Sequence, residues 1–452
     1  MDHEELLYSY DQAGRITQVT DSRGYTVKYK YDLSGNRIGL TYPDGGSATY
    51  SYDTANRLAA MTDWNGRSAS FSYDNVGRRI GLNLPNGTKT TYSYDQASRL
   101  TDLAHKTSGG SILDSFSYSY DAIGNRLSVT RPEEKLAYTY DLLDRLIQAT
   151  PTKLKGKDKE QENRAEEFSY DPVGNRLSGS ENKDTYTYNQ GNQLINDRKN
   201  QYQYDRNGNL IKKTEVDDDG ENETWTYSYD AENRLIKVVK QEDSEIETVS
   251  FKYDPFGRRI EKKVDGIENG IIENKTYFYV YDNEDIIGEY LTKTENGVSR
   301  TETTKYLHGP GIDEPLEIER KGELYSYHTD ALGSITALTD SRQKTMERYS
   351  YSSFGELKQH GDKVKNTYAF TGREWDEEID LYYYRARYYD AEVGRFITPD
   401  PVLSLNFSIS RAMKIIRVDT KRIVQRFISD PQSLDRYHYV KNNPIRLTDP
   451  LG

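Results

Sequence analysis

The chain has 452 residues, length for two or three ordinary domains, yet only 34% are apolar and the mean hydropathy is -0.93. Against 11 phenylalanines and 3 tryptophans stand 40 tyrosines, which excludes ordinary disorder and favours half-wet pleated surfaces. The net charge of -12 disfavours nucleic acid as a partner for the bulk of the chain, and the lack of cysteine excludes disulfides, thiolate metal sites and cysteine nucleophiles.

No apolar run reaches about 18 residues, and the start, Met1-Asp2-His3-Glu4-Glu5, has neither the basic nor the apolar region of a signal peptide. From there a repeat dominates. Tyr-Asp occurs at Tyr10-Asp11, Tyr31-Asp32, Tyr52-Asp53, Tyr73-Asp74 and Tyr94-Asp95, a step of 21 residues each time. Less regular copies follow at Tyr120, Tyr140, Tyr170, Tyr204, Tyr229, Tyr253 and Tyr281, with Tyr188-Asn189 as a degenerate thirteenth.

Each copy reads as a strand pair with two turns. In Tyr50-Ser51-Tyr52-Asp53 the alternation puts both rings on one strand face, and the aspartate ends the strand in an Asx turn helped by a following glycine such as Gly14, Gly35 or Gly77. Arg and an aliphatic residue, as in Arg57-Leu58, begin the return strand. A second turn falls at Gly24, Gly45, Gly66 and Gly87; Asp44, Asn65 and Asn86 before three of them predict tight two-residue hairpins. With strands of about 6 to 8 residues, no unit has enough apolar surface to fold alone, so neighbours stack into one sheet.

Two segments interrupt the array. Residues 153–167 mix charges of both signs and read as a solvated loop. Glu215-Val216-Asp217-Asp218-Asp219-Gly220 opens like a calcium loop, but Thr226 stands where the bidentate glutamate belongs, so a solvated turn is favoured.

After about residue 300 the register changes. This block contains Tyr327-His328-Thr329-Asp330, Phe370-Thr371-Gly372-Arg373-Glu374, Leu381-Tyr382-Tyr383-Tyr384-Arg385-Ala386-Arg387-Tyr388-Tyr389-Asp390, Gly394-Arg395-Phe396-Ile397-Thr398-Pro399-Asp400-Pro401, Asn442-Asn443-Pro444 and Asp449-Pro450-Leu451-Gly452. The repeats and these ordered motifs together resemble the Rhs, or YD-repeat, family, with residues 1–300 as the repeat array and 301–452 similar to its core domain.

The resemblance implies an all-β fold: hairpins stacked into a long spiralling antiparallel sheet that forms a hollow shell or barrel, plugged by the core domain. It implies a protein, secreted or at the cell surface, that encloses and delivers a C-terminal toxin effector, absent from this chain. The core domain severs the effector near an Asp-Pro-x-Gly junction, here at Leu451 and Gly452. A shell-capping protein or secretion machinery are partners implied in the same way, and no cofactor or metal is expected. Two other readings stand beside it: an exported adhesin binding cell-surface glycans through tyrosine faces, and a truncated remnant without delivery activity.

For self-cleavage, acting once in the manner of an aspartyl protease, the resemblance points to Asp400 and Asp449, with Asp390 and Arg395 in support. Two carboxylates held about 3 Å apart share a proton, so the pair activates water and protonates a leaving amide. An arginine such as Arg395 orients a carboxylate by paired hydrogen bonds. Read from the residues alone, the same aspartates start turns before proline.

Residues 402–429 are an insertion relative to the family pattern, and Asp430, in a second Arg-Phe-Ile-Ser-Asp-Pro run, is an alternative to Asp400. The insertion has six basic residues and one acid from 404 to 429, and Met413, Ile416, Ile423 and Phe427 share a helical face. A basic helix of this kind docks on the protein surface or touches membrane or nucleic acid. The six histidines do not fall at metal-ligand spacing, and His328 reads as a turn-stabilising residue.

Overall fold

The Tyr-Asp turn fixes the architecture. At Asp11 the backbone N–H donates to the Arg15 carbonyl (2.9 Å) and Gly14 N–H donates back to the Asp11 carbonyl (3.0 Å). The Asp11 Oδ1 accepts from the Ala13 and Arg15 N–H groups at 2.9 and 3.0 Å, the expected Asx turn. The second turn is built alike, with Tyr42 N–H on the Gly46 carbonyl (2.8 Å) and Gly45 N–H on the Tyr42 carbonyl (2.9 Å). Both loops therefore have three residues, correcting the two-residue hairpins predicted from Asp-Gly and Asn-Gly. The glycine closes the loop as its third residue, with φ of 88° at Gly45, and at the Tyr-Asp loops the strand register also shifts, as between Ser9 and Tyr10.

The residue after each Tyr-Asp loop clasps the next repeat. Arg57 Nε donates to its own Asp53 (2.8 Å), Nη1 donates to the carbonyl of Asp74 in the following repeat (3.3 Å), and the guanidinium lies 4.6 Å from the Tyr73 ring centroid. Tyr73 returns a hydrogen bond from its hydroxyl to the Leu58 carbonyl (2.8 Å). The same set recurs at Arg78 with Tyr94 and Asp95, and at Arg99 with Tyr120 and Asp121. Both polar and ring surfaces of these tyrosines are thus engaged between repeats.

The structure, a computed structural model, describes residues 5–154, 165–179, 185–215, 223–242, 245–268, 271–295, 298–361, 363–401 and 435–452. The calcium-like segment beyond Glu215, the basic 402–429 segment and Asp430 lie outside them. Strands run from β1 (Leu6–Tyr10) to β15 (Glu166–Glu167) in one fifteen-stranded antiparallel sheet. A second runs from β16 (Thr187–Tyr188) to β30 (Thr345–Arg348), passing residue 300 without a break. Sequential strands are neighbours throughout, in lengths from two residues in β15 and β16 to twelve in Ile271–Asp282.

This strip turns back on itself. Val27, Leu40, Met61 and Leu82 of the first sheet pack with Val280, Ile287, Leu307 and Leu316 of the second. Side chains fasten the seam: Arg37 to Asp282, Arg67 to Glu317 (2.5 Å), Arg79 to Glu314, and Tyr42 hydroxyl to the Tyr306 carbonyl (2.9 Å).

Within the wrap lies the four-stranded sheet β33 (Glu374–Asp376), β34 (Leu381–Tyr384), β35 (Arg387–Asp390) and β36 (Arg395–Phe396), preceded by the short pair β31 (Ser350–Tyr351) and β32 (Leu357–Gln359). Every residue of β34 and β35 is buried, so both faces of this sheet are covered, as the plug expectation requires. Tyr383 and Tyr388 join the core of the second sheet, while Tyr382, Tyr384 and Tyr389 pack with Phe370, Phe396 and Tyr439. Arg259, 1% exposed, ties strand to plug: it pairs with Asp376 and lies 4.4 Å from the Tyr383 ring centroid, while Lys262 reaches Asp376 and Glu378 at 3.0 and 2.9 Å.

At the seam two histidines meet that are far apart in sequence. The rings of His105 and His328 are 4.9 Å apart and edge to face. His105 Nε2–H donates to the Thr329 carbonyl (2.8 Å) and Nδ1 faces the Thr90 hydroxyl (2.9 Å). Burial draws the His105 pKa down to about 4 and that of His328 well below its ordinary value, the second with help from its histidine neighbour. His328 also holds Thr339 at 2.8 Å across the hairpin, a strand-to-strand bond away from the Asp330 turn.

Two predictions follow from this packing. Tyr253→Phe leaves the Leu235 carbonyl without its 2.6 Å donor and lowers stability by about 1 kcal/mol, read from urea unfolding midpoints. The histidines stay neutral in the folded state but take up protons when unfolded below about pH 6.5, so stability is full above that pH and falls as pH drops toward 4. His105 alone accounts for a loss of about 3 kcal/mol over that window. Replacing it in His105→Gln, which keeps a donor for Thr329, flattens the pH dependence of the melting temperature; an unchanged slope refutes the assignment.

Candidate active site

β34 and β35 join through Arg385 and Ala386, with Tyr384 paired to Arg387, so the arginine at the start of β35 points into the plug rather than to solvent. Buried arginine must satisfy a planar fork of donors. Arg387 does so against the closing segment. Its Nε donates to the Gly452 carbonyl (2.6 Å), Nη1 to the Arg436 carbonyl (3.2 Å) and Nη2 to Asp449 Oδ2 (3.1 Å). Asp400 Oδ2 lies 3.8 Å from the same Nη2, and the guanidinium sits 3.6 Å from the Phe396 ring centroid. Burial pulls the Arg387 pKa down, and the charges of Asp400 and Asp449 oppose that pull.

Asp400 and Asp449 are therefore brought together, on one guanidinium nitrogen. The Asp449 Oδ1 accepts the Gly452 N–H at 3.0 Å, so this aspartate closes a local turn as well as meeting Arg387. Asp400 stays in the cluster despite the insertion after it because the chain returns beside its point of departure. Its N–H donates to the Arg436 carbonyl (2.9 Å), and Phe396 N–H donates to the Tyr437 carbonyl (2.8 Å).

Asp390 and Arg395 are turned elsewhere. Asp390 caps its own turn, accepting from Glu392 and Val393 N–H at 3.0 and 3.3 Å. Burial raises its pKa to about 6, against the pull of Lys213. Arg395 forms a two-point pair with Asp435 at 2.9 and 3.0 Å and donates to the Asn192 carbonyl (2.7 Å). The carboxylate that Arg395 orients is thus Asp435, correcting its expected support of Asp400 or Asp449.

Three arginines that the sequence reading passed over surround the closing segment. Besides Arg387, both Arg373 and Arg385 donate to the Pro450 carbonyl oxygen. The signal was available: cations inside the Tyr-Tyr-Tyr-Arg-Ala-Arg-Tyr-Tyr run cannot all escape to water from a strand buried on both faces. Asn443 fixes the same segment to a hairpin loop of the first sheet through the Asp144 carbonyl, and Asn442 fixes it to the Asp171 turn that follows that sheet through the Gly174 carbonyl, at 2.8 Å each. A cavity of about 480 Å³ opens beside Asp449, walled by Tyr92, Leu103, Ile312 and Arg373. Among the described residues no three histidine or acidic side chains are arranged to hold a metal, and no helix is long and apolar enough to cross a membrane.

A strip of Tyr-Asp hairpins wrapped around a buried tyrosine sheet, with an Asp-Pro-x-Gly segment fastened to that sheet by Arg387, defines an Rhs-type YD-repeat shell protein. The chain belongs to the Teneurin YD-shell family, whose model matches residues 1–157 and 152–445. It is 33% identical over 280 residues to the tRNA3(Ser)-specific nuclease WapA of Bacillus spizizenii, covering 61% of this chain and 10% of that protein. To the double-stranded DNA deaminase toxin A of Burkholderia cenocepacia it is 26% identical over 315 residues, covering 63% of this chain and 20% of the relative. Among solved structures, TcdB2-TccC3 without its hypervariable C-terminal region superposes with a TM-score of 0.69 at 18% identity, over 98% of this chain and 23% of that one. The chain thus spans a tenth to a quarter of the length of these proteins.

The geometry makes Arg387 the keystone of the segment. Arg387→Lys keeps the charge but not the fork, leaving at least one of the Arg436 and Gly452 carbonyls without its donor. Limited proteolysis is expected to cut within 435–452 of this variant while the repeat sheets stay resistant.

Proposed function

We propose that this chain is the enclosing wall and core domain of a secreted toxin-delivery protein, and that its core domain, residues 301–452, releases a downstream effector by one self-cleavage. The observation that supports the reading most is the convergence of Asp400, Asp449 and the Gly452 carbonyl on Arg387. Relatives whose names describe nucleases and a deaminase toxin are similar in sequence over 61% and 63% of this chain, which fits a common shell with differing cargo.

The bond addressed is the one that follows Gly452 in an extended chain. One carboxylate of the pair takes a proton from water, whose oxygen adds to the Gly452 carbonyl carbon. Negative charge then grows on the carbonyl oxygen, where Arg387 Nε already donates at 2.6 Å. The partner carboxyl gives its proton to the departing amide nitrogen as the C–N bond breaks, and a carboxylate and an amine result.

The test is a chain extended past Gly452 by a folded reporter domain, followed by intact-protein mass spectrometry. Wild type is expected to separate at the Gly452 junction, and Asp449→Asn or Asp400→Asn to slow separation at least 100-fold. An intact wild type, or equal cleavage in all three, refutes the proposal.

A further inference from the structure

Arg373 and Arg385 are not explained by the cleavage chemistry, since neither reaches the Gly452 carbonyl. Both guanidinium groups end on one neutral oxygen, the Pro450 carbonyl. Asp313 links them: its Oδ1 lies 3.2 Å from Arg373 Nη1 and 2.7 Å from Arg385 Nη2. Arg373 is 1% exposed and stacks 4.9 Å from the Tyr384 ring centroid, so its direction is fixed.

The backbone is bent to make this meeting. Asp313, Thr371 and Arg385 have φ of 59°, 51° and 60°, in the left-handed region that non-glycine residues avoid. Gly372, at φ 72°, lies so close to Asp313 that a Cβ there would stand 2.3 Å from the Asp313 carbonyl oxygen. Three elements distant in sequence, the 309–314 loop, the 370–372 turn and the β34–β35 turn, thus hold left-handed residues around a single carbonyl. Strain of this kind persists only where the surrounding fold enforces it, and it gathers at sites that need a fixed geometry.

We infer that Arg373, Asp313 and Arg385 form a positioning clamp for self-cleavage; this rests on the reading above. Proline fixes its own φ and the peptide bond before it is planar, so holding the Pro450 carbonyl limits how Asp449 can swing. With the clamp on one side and Arg387 on the other, the Asp449 carboxylate stays on the guanidinium it shares with Asp400, beside the junction. A displacement of about 1 Å at a reacting group costs on the order of 100-fold in rate, which sets the expected size of the effect.

The experiment uses the reporter-extended chain in wild-type, Arg385→Ala, Arg385→Lys and Asp313→Asn forms, with cleavage followed by time-resolved mass spectrometry. Arg385→Ala is expected to cleave about 100-fold more slowly, with an unshifted pH profile because the reacting carboxylates remain. Millimolar guanidinium is expected to restore much of that rate. Cleavage of Arg385→Ala at the wild-type rate overturns the clamp and leaves self-cleavage standing. A slow variant that guanidinium does not rescue, with a lowered melting temperature, also overturns it, in favour of plain structural support. An intact wild type is a different failure, that of the self-cleavage reading itself.

Discussion

The rest of the structure depends on the arginine that leaves each Tyr-Asp turn. A single such residue closes its own loop through Nε, borrows the next repeat's aspartate carbonyl through Nη1, and covers the next repeat's tyrosine ring. That tyrosine answers with its hydroxyl. A repeat is therefore incomplete in both directions, and stability comes from the boundary between units rather than from any unit, as in other one-dimensional repeat proteins. Some of the clasps are a third exposed, as at Arg57, where an isolated ion pair contributes little. Here the ring contact, the two-way hydrogen bonds and the turn itself rest on the same two side chains.

The exceptions obey the same constraint. Where asparagine replaces the arginine, its shorter amide cannot reach the next carbonyl, and it bonds instead to a side chain at the left-handed position of the following loop. Asn36 reaches Asn56 Oδ1 (2.6 Å), Asn125 reaches Asp144 (3.0 Å), Asn175 reaches Asn192 (3.1 Å) and Asn209 reaches Asn233 (2.8 Å). In each case the glycine of the next loop has given way to Asn or Asp, the non-glycine residues that best tolerate positive φ. Two positions about 20 residues apart thus vary together for a steric reason.

Much of the fold was legible because the repeat is local. Alternating tyrosines, the Asx aspartate and the following Arg-aliphatic pair lie within about ten residues, and they specify strand, turn and return strand together. Loop length was not, since Asp-Gly serves two-residue and three-residue hairpins alike and only the bulge distinguishes them. Asp400 and Asp449 were found through motif order, whereas the partners of Asp390 and Arg395 were not. Asp390 answers to Lys213 and Arg395 to Asn192 and Asp435, groups brought near only when the second sheet wraps the plug. The same distance hid the histidine pair, with His105 and His328 on different sheets.

The candidate site extends the repeat's chemistry rather than departing from it. In the array an arginine joins an Asx-turn aspartate, a backbone carbonyl and an aromatic ring; at the closing segment Arg387 joins Asp449, the Gly452 carbonyl and the Phe396 ring. What changes is solvent. The Arg57 side chain is 33% exposed, while that of Arg387 is 5% exposed and has a second carboxylate, Asp400, within 4 Å; Asp449 and Asp400 themselves stay 27% and 33% exposed. In water such a fork only fastens a turn. With the guanidinium itself out of water, its donors are fixed and need little rearrangement when charge develops on a carbonyl. Burial of the arginine inside the wrapped sheet is thus what separates this arrangement from the clasps of the array, and it is available only once enough repeats have stacked to enclose the plug.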